Sequence, residues 1–267
     1  MQRMTADSVD MVFCSPPYAD VRNYGINFGY RGHKWVDWAM PRFIECLRIT
    51  NGLVAWVVEG TGQQSVKYTA EPILMQARLI DAGIPIWKPS IYGRFSLPGR
   101  FSVLRNNWEF IIMSSNGRKL PFSDPTACGS APKFAPGGKT GPRTRDGGRN
   151  KSKTNYKAPA KTNHGNIIWC GAVGGGNMGD PLATENEAPF PEYLAEVMIR
   201  SFCKPGGIVL DPFCGSGTTM AVAAKHGRVG MGIEIRKSQV ELSKRRVSRS
   251  PKTVRVAKGT KPNTRRR

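Results

Sequence analysis

Histidine is scarce in this chain: three among 267 residues, at His33, His164 and His226, far apart. The six cysteines (14, 46, 128, 170, 203 and 214) form no Cys-x-x-Cys pair. Neither a zinc site nor a disulfide framework is expected from that pattern. No stretch approaches 18 apolar residues and the N-terminus has no apolar signal region, so a soluble, cytoplasmic chain without a membrane partner is expected. Acidic residues are also few, 19 against 40 Lys and Arg, and the net charge is +21. The surplus is concentrated. Residues 116–163 hold 11 basic and 2 acidic residues and residues 236–267 hold 13 and 1, leaving 16 of each sign elsewhere. A balanced core with two cationic appendages suits a polyanionic partner. The tail alone is also readable as a solvated, disordered segment.

What the chain does contain is a stretch around which the rest is organised. Ile208-Val209-Leu210 reads as a short buried parallel strand. It ends in Asp211, Pro212, Phe213, Cys214, Gly215, Ser216, Gly217, Thr218 and Thr219, before an Ala-rich helical run to Lys225. Strand, glycine turn and helix N-terminus make a nucleotide-type cradle. A phosphate loop would place Lys after the last glycine, but Thr218 stands there. The cradle therefore suits an adenosine ligand without a triphosphate, with the strand-end acid of Asp211 free to hold an amine or hydroxyl.

A second apolar run, Val9 to Cys14, leads into Ser15-Pro16-Pro17-Tyr18. Two prolines fix φ and remove two donors, so the chain leaves the strand extended and rigid. This tetrapeptide, with Asp-Pro-Phe-Cys-Gly-Ser-Gly-Thr-Thr downstream, resembles the amino-methylating DNA methyltransferases that use S-adenosylmethionine. The motif order, catalytic first and cofactor last, looks like their circularly permuted β group, over most of residues 8 to 246. The resemblance implies a Rossmann-like α/β fold with a doubly wound, mostly parallel sheet. It also implies S-adenosyl-L-methionine as cofactor, double-stranded DNA as partner, and the company of restriction–modification enzymes in a bacterial, archaeal or phage-infected cell. Monomer and homodimer both remain open.

Along the chain, the resemblance implies a strand before Val9 to help frame the adenine, and residues 1–7 are too short for it. Ala19 to Gly32 is polar and aromatic, with the character of a functional loop. Val36, Met40, Phe43 and Leu47 predict a helix over 34–49 ended by Asn51-Gly52, with Pro41 costing about 3 kcal/mol unless the helix kinks or starts there. Leu53 to Val58 reads as a strand, Glu71 to Ala82 as a helix, and Ile84 to Tyr92 with Trp108 to Met113 as paired strands. From 114 to 166 Gly, Pro, Ser, Lys and Arg dominate, as in a linker or an insert. The resemblance places target recognition there. Gly174-x-Gly176-x-x-Gly179 matches a dinucleotide fingerprint by accident, since Asp-Pro-Leu-Ala-Thr and no helix pattern follows. Leu194, Val197, Met198 and Phe202 predict a helix whose start, by resemblance, lies over the methionine end of the cofactor; Phe190 is either there or in the core. Arg228 to Ile235 reads as the next strand. Glu234 near its end can accept ribose hydroxyls, or is simply a surface acid. Ser238 to Arg246 reads as a basic helix. The expected organisation is a catalytic half (1–113), a basic target-recognition insert (114–166), a cofactor half (167–246) and a basic tail (247–267).

The chemistry expected of Ser15, Pro16, Pro17 and Tyr18 follows. An exocyclic base amine is a poor nucleophile because its lone pair is delocalised. The Ser15 hydroxyl and Pro16 carbonyl can hold its hydrogens while Tyr18 stacks on a flipped base. C5 methylation would need a Pro-Cys nucleophile, which the chain lacks, and Cys14 reads as core. Serine at the first position resembles N4-cytosine enzymes, with N6-adenine as the alternative product. Release-factor methylating enzymes carry Asn-Pro-Pro-Tyr and the opposite motif order. A DNA-binding protein with a degenerate methyltransferase core is the non-enzymatic alternative.

Overall fold

The computed structural model describes residues 1–19, 28–61, 68–95, 106–117, 119–132, 140–151, 159–171, 179–186 and 188–249. Most of the Ala19–Gly32 loop, the accidental glycine fingerprint and the tail from 250 onward lie outside them. The strands are β1 (Val9–Cys14), β2 (Thr50–Val58), β3 (Ser90–Phe95), β4 (Trp108–Ser114), β5 (Thr140–Arg143), β6 (Arg149–Lys151), β7 (Ile167–Gly171), β8 (Ile208–Asp211) and β9 (Val229–Gly232). The α-helices are α1 (Gly32–Ile49), α2 (Glu71–Asp81), α3 (Glu192–Phe202), α4 (Thr218–Lys225) and α5 (Lys237–Arg249). Seven strands form one sheet in the order β7-β3-β4-β2-β1-β8-β9, and β5-β6 is a separate ribbon within the basic insert. Only β4 runs against its neighbours; the other pairings in the main sheet are parallel.

The period of two decides which face each residue joins. Val12 and Cys14 of β1, with Val54, Trp56 and Val58 of β2, pack on Trp35, Val36, Ala39 and Phe43 of α1 and on Met75 and Leu79 of α2. Met11, Phe13, Leu53, Ala55 and Val57 point the other way, onto Leu194, Val197 and Met198 of α3 and Val222 of α4. Central strands covered on both faces explain why their sequences are continuously apolar. Trp56 is fully buried, and truncating it to alanine would cost about 3–5 kcal/mol.

Several boundaries differ from the sequence reading, each for a local reason. α1 starts at Gly32, whose N–H donates to Glu71 Oε1 at 2.7 Å, so an acid from α2 satisfies the helix start. The helix runs through Pro41, with Met40 and Phe43 on its buried face. It ends at Ile49, and Asn51-Gly52 opens β2 instead of closing the helix. Gly52 is needed there because a Cβ would strike the Asp10 carbonyl where the β1–β2 register shifts. The strand expected from Ile84 begins only at Ser90; Pro85 and Pro89 lack the N–H a ladder requires, and Ile86 makes a lone bridge to Ser114. β9 ends at Gly232, short of Ile235. No described helix is long and apolar enough to cross a membrane, and no group of three metal-ligating side chains occurs among the described residues.

Candidate active site

β1 and β8 lie side by side, pairing Met11 with Val209 and Val12 with Leu210. From β1 the chain crosses through α1 to β2 on one side; from β8 it crosses through α4 to β9 on the other. Strand order reverses between them, and at such a point a crevice opens beyond the carboxyl ends of the strands. Asp10 ties the pair together, accepting from the Ile208 N–H at 2.8 Å and pairing with Lys204 at 2.9 Å. The crevice is a cavity of about 670 Å³. Ser15, Pro16, Pro17 and Tyr18 form one side; Pro212, Phe213, Gly215 and Glu234 form another, with Phe190 beside them.

The glycine turn follows from its backbone. Gly215 (φ +47°) and Gly217 (φ +85°) occupy the left-handed region. A Cβ on Gly215 would come within 2.9 Å of Asn186 Nδ2, and one on Gly217 would strike Ser243. Asp211 departs from the sequence reading. Its Oδ1 accepts from the Phe213 N–H at 3.0 Å and its Oδ2 from the Thr219 hydroxyl at 2.6 Å, beneath the turn and away from the cavity wall. Burial pushes this carboxyl up to about 7, against those two hydrogen bonds and with help from Glu234. Cys214, Ser216, Gly217, Thr218 and Thr219 are likewise behind the wall; Thr219 is wholly buried. Glu234 does reach the wall. Its Oε2 accepts from the Gly215 N–H at 3.0 Å and its Oε1 from the Arg236 N–H at 2.9 Å.

Arg246 was not foreseen. Read only as part of a basic helix, it is 1% exposed and lies under the turn. It donates to Thr218 Oγ1 at 2.6 Å, to Ser216 Oγ at 3.2 Å and to Glu192 Oε1 at 2.8 Å. One guanidinium thus clamps the turn to α3 and α5.

On the β1 side of the cavity, Pro16 is buried and Ser15 half-buried. The Pro17 carbonyl accepts from Trp35 Nε1 at 2.8 Å, which fixes the tetrapeptide's direction. Tyr18 donates its hydroxyl to Glu109 Oε2 at 2.6 Å, and Glu109 Oε1 pairs with Arg94 Nη1 at 3.1 Å. Because β4 is antiparallel, Glu109 near its start reaches the same sheet end as the tetrapeptide. Burial pushes the Glu109 carboxyl up, opposed by Arg94 and the Tyr18 hydrogen bond. Glu109 carried no sequence signal beyond a charge in an expected strand, and Arg94 fell just past the end of one. Phe213 packs edge-on to Trp56 at 5.6 Å and lies 5.9 Å from Trp38, over which Arg42 stacks at 4.4 Å. Phe190 lines the cavity and meets Phe13 edge-on at 5.4 Å. Cys14 is fully buried, and burial holds its thiol well above the usual range, as befits a core residue.

Over residues 9–245 the sequence matches the DNA methylase family. The chain belongs to that family. It is 28% identical over 251 residues to the orphan methyltransferase M.BamHII of Bacillus amyloliquefaciens, covering 90% of this chain and 89% of that protein. It is 26% identical over 264 residues to the DNA adenine methyltransferase YhdJ of Escherichia coli strain K12, covering 92% and 79%. The solved structure of the cytosine-N4-specific PvuII DNA methyltransferase aligns with a TM-score of 0.66 at 18% identity, covering 92% of this chain and 81% of that one. That likeness establishes a Rossmann-like methyltransferase fold. The family's cofactor is S-adenosyl-L-methionine. The cavity suits it: the backbone is bare at Gly215, Phe213 and Trp38 offer an aromatic wall, and Glu234 presents a carboxylate.

Proposed function

We propose that this DNA methylase transfers a methyl group to N4 of cytosine at a specific site in duplex DNA. The observation that carries this reading is one cavity shared by Ser15-Pro16 and the Gly215 turn across adjacent strands. Phe213, Gly215, Glu234 and Phe190 hold the cofactor. Asp211, Cys214, Ser216, Gly217, Thr218 and Thr219 keep the turn in shape behind them, and Pro212 lines its approach. Bound there, the cofactor supplies an electrophilic sulfonium methyl.

The Ser15 hydroxyl and the Pro16 carbonyl accept the two amine hydrogens and draw nitrogen toward tetrahedral geometry. The lone pair is then directed at the methyl, and the proton that the methylated nitrogen sheds passes to solvent, since neither the neutral hydroxyl nor the carbonyl can keep it. Positioning of this kind is worth up to ~7–11 kcal/mol. Tyr18 stacks on the flipped base, and its hydroxyl, anchored on Glu109, fixes the ring plane. Glu234 keeps acceptor capacity for ribose hydroxyls, since each carboxylate oxygen has a second lone pair. The basic insert (114–166) and the basic tail grip the phosphates, with the insert reading the target.

Serine at the head of the tetrapeptide supports cytosine, in keeping with the cytosine-N4-specific enzyme of like fold. The adenine-specific relative supplies the competing product. Nucleoside digestion of DNA from cells expressing the chain, read by mass spectrometry, separates them. N4-methylcytosine is expected, and N6-methyladenine alone would overturn the cytosine assignment.

A further inference from the structure

Tyr18, Glu109 and Arg94 form a chain of contacts along the cavity wall, and Arg94 has no part in the reaction described above. Arg94, on β3, lines the same cavity as Ser15, beside Tyr92. Its Nη1 is held by Glu109, while its Nε is buried with no hydrogen-bond partner among the described residues. A buried, unmatched donor on a charged group is costly, and the cost is recovered when an acceptor arrives. Resting on the cytosine reading, we infer that Arg94 reads the pyrimidine edge of the flipped base through N3 and O2, and that Glu109 positions it.

The geometry of the two candidate bases supports this. With the amine held at Ser15 and Pro16, cytosine presents N3 next to the amine and then the O2 carbonyl, two acceptors on one edge. Adenine in the same pose presents N1 and then a C2–H. A guanidinium fork has several donors in one plane, so it is matched twice by cytosine and once by adenine. Glu109 serves both partners of the base: one oxygen fixes the stacking ring, the other aims the fork.

The test uses the full-length protein and a duplex containing its methylated site, located first by sequencing modified bases in host DNA. Arg94→Met and Arg94→Lys are compared with the native chain on that duplex and on one carrying 3-deazacytosine at the target. Arg94→Lys keeps a charge opposite Glu109, so folding is preserved if the methionine variant is unstable. The native chain should lose about 10–100-fold in kcat/KM on the deaza duplex, as expected for a hydrogen bond to a charged donor. Each variant should lose at least that on cytosine, with little further loss on the deaza duplex, because the same bond is already gone. Cofactor affinity, measured by calorimetry, should be unchanged. Equal losses by a variant on both duplexes, or no loss on cytosine, would overturn the role of Arg94. The identity of the methylated base is read from the native chain alone, so failure of the cytosine reading is seen separately.

Discussion

Arg246 donates to Thr218 Oγ1 at 2.6 Å from beneath the Gly215–Gly217 turn, although the two residues belong to different helices. The contact makes the shape of a turn that borders the cavity depend on a side chain that does not line it.

Arg246→Met should therefore weaken cofactor binding and lower stability together. Glu192 would lose its buried partner, and Ser216 and Thr218 a donor. A loss of about 1–3 kcal/mol is expected, discounted because the Glu192 side chain is 19% exposed. Chemical denaturation and a calorimetric titration would check it. Unaltered stability would show the clamp to be slack.

Gly215→Val should abolish cofactor binding while leaving the chain folded. Its left-handed backbone costs a side chain about 1–2 kcal/mol, and the new Cβ would press on Asn186. Thermal unfolding should shift modestly and the titration should be flat. A native-like affinity would remove the turn from the site.

Asp211 predicts a pH dependence. Its carboxyl is raised in the folded chain to about 7, so the folded state binds the proton more tightly than the unfolded state. The stability this contributes is complete below about 4 and is lost as pH rises toward 7. Asp211→Asn should flatten the difference in unfolding free energy between those limits in the ligand-free protein. Parallel curves for the two proteins would contradict the assignment.

Removing residues 250–267 should leave α5 and cofactor binding intact and reduce the salt dependence of DNA binding. The segment carries seven Lys or Arg and no acid. Each phosphate contact contributes about −0.9 to the slope of log affinity against log salt. An unchanged slope would make the tail a bystander.

The parts of this site that were legible in the sequence are those set by backbone chemistry. Two glycines and two prolines dictate local geometry wherever they stand, so the turn at Gly215 and the rigid exit at Pro16-Pro17 announce themselves. Continuous apolar runs likewise identify β1, β2 and β8. The doubly wound sheet followed from their alternation with helices. Arg246, Glu109 and Arg94 were not legible because their meaning is a matter of position in three dimensions. A basic residue in a basic helix has the same sequence whether it faces water or a glycine turn. Asp211 differs from the sequence reading for a related reason: a strand-end acid can point into a cavity or at the turn beside it, and here Thr219 and the Phe213 N–H claim it.

The tie between Asp10 and Ile208 joins residues 198 positions apart. Nearly 200 residues separate Ser15-Pro16-Pro17-Tyr18 from β8, so the two sides of the cavity meet only across a very long loop. Contacts of such long range close late, because loop entropy must be overcome first. The cavity is therefore complete only when both segments are present, and a break anywhere in residues 114–166 would leave two pieces that must find each other to rebuild it.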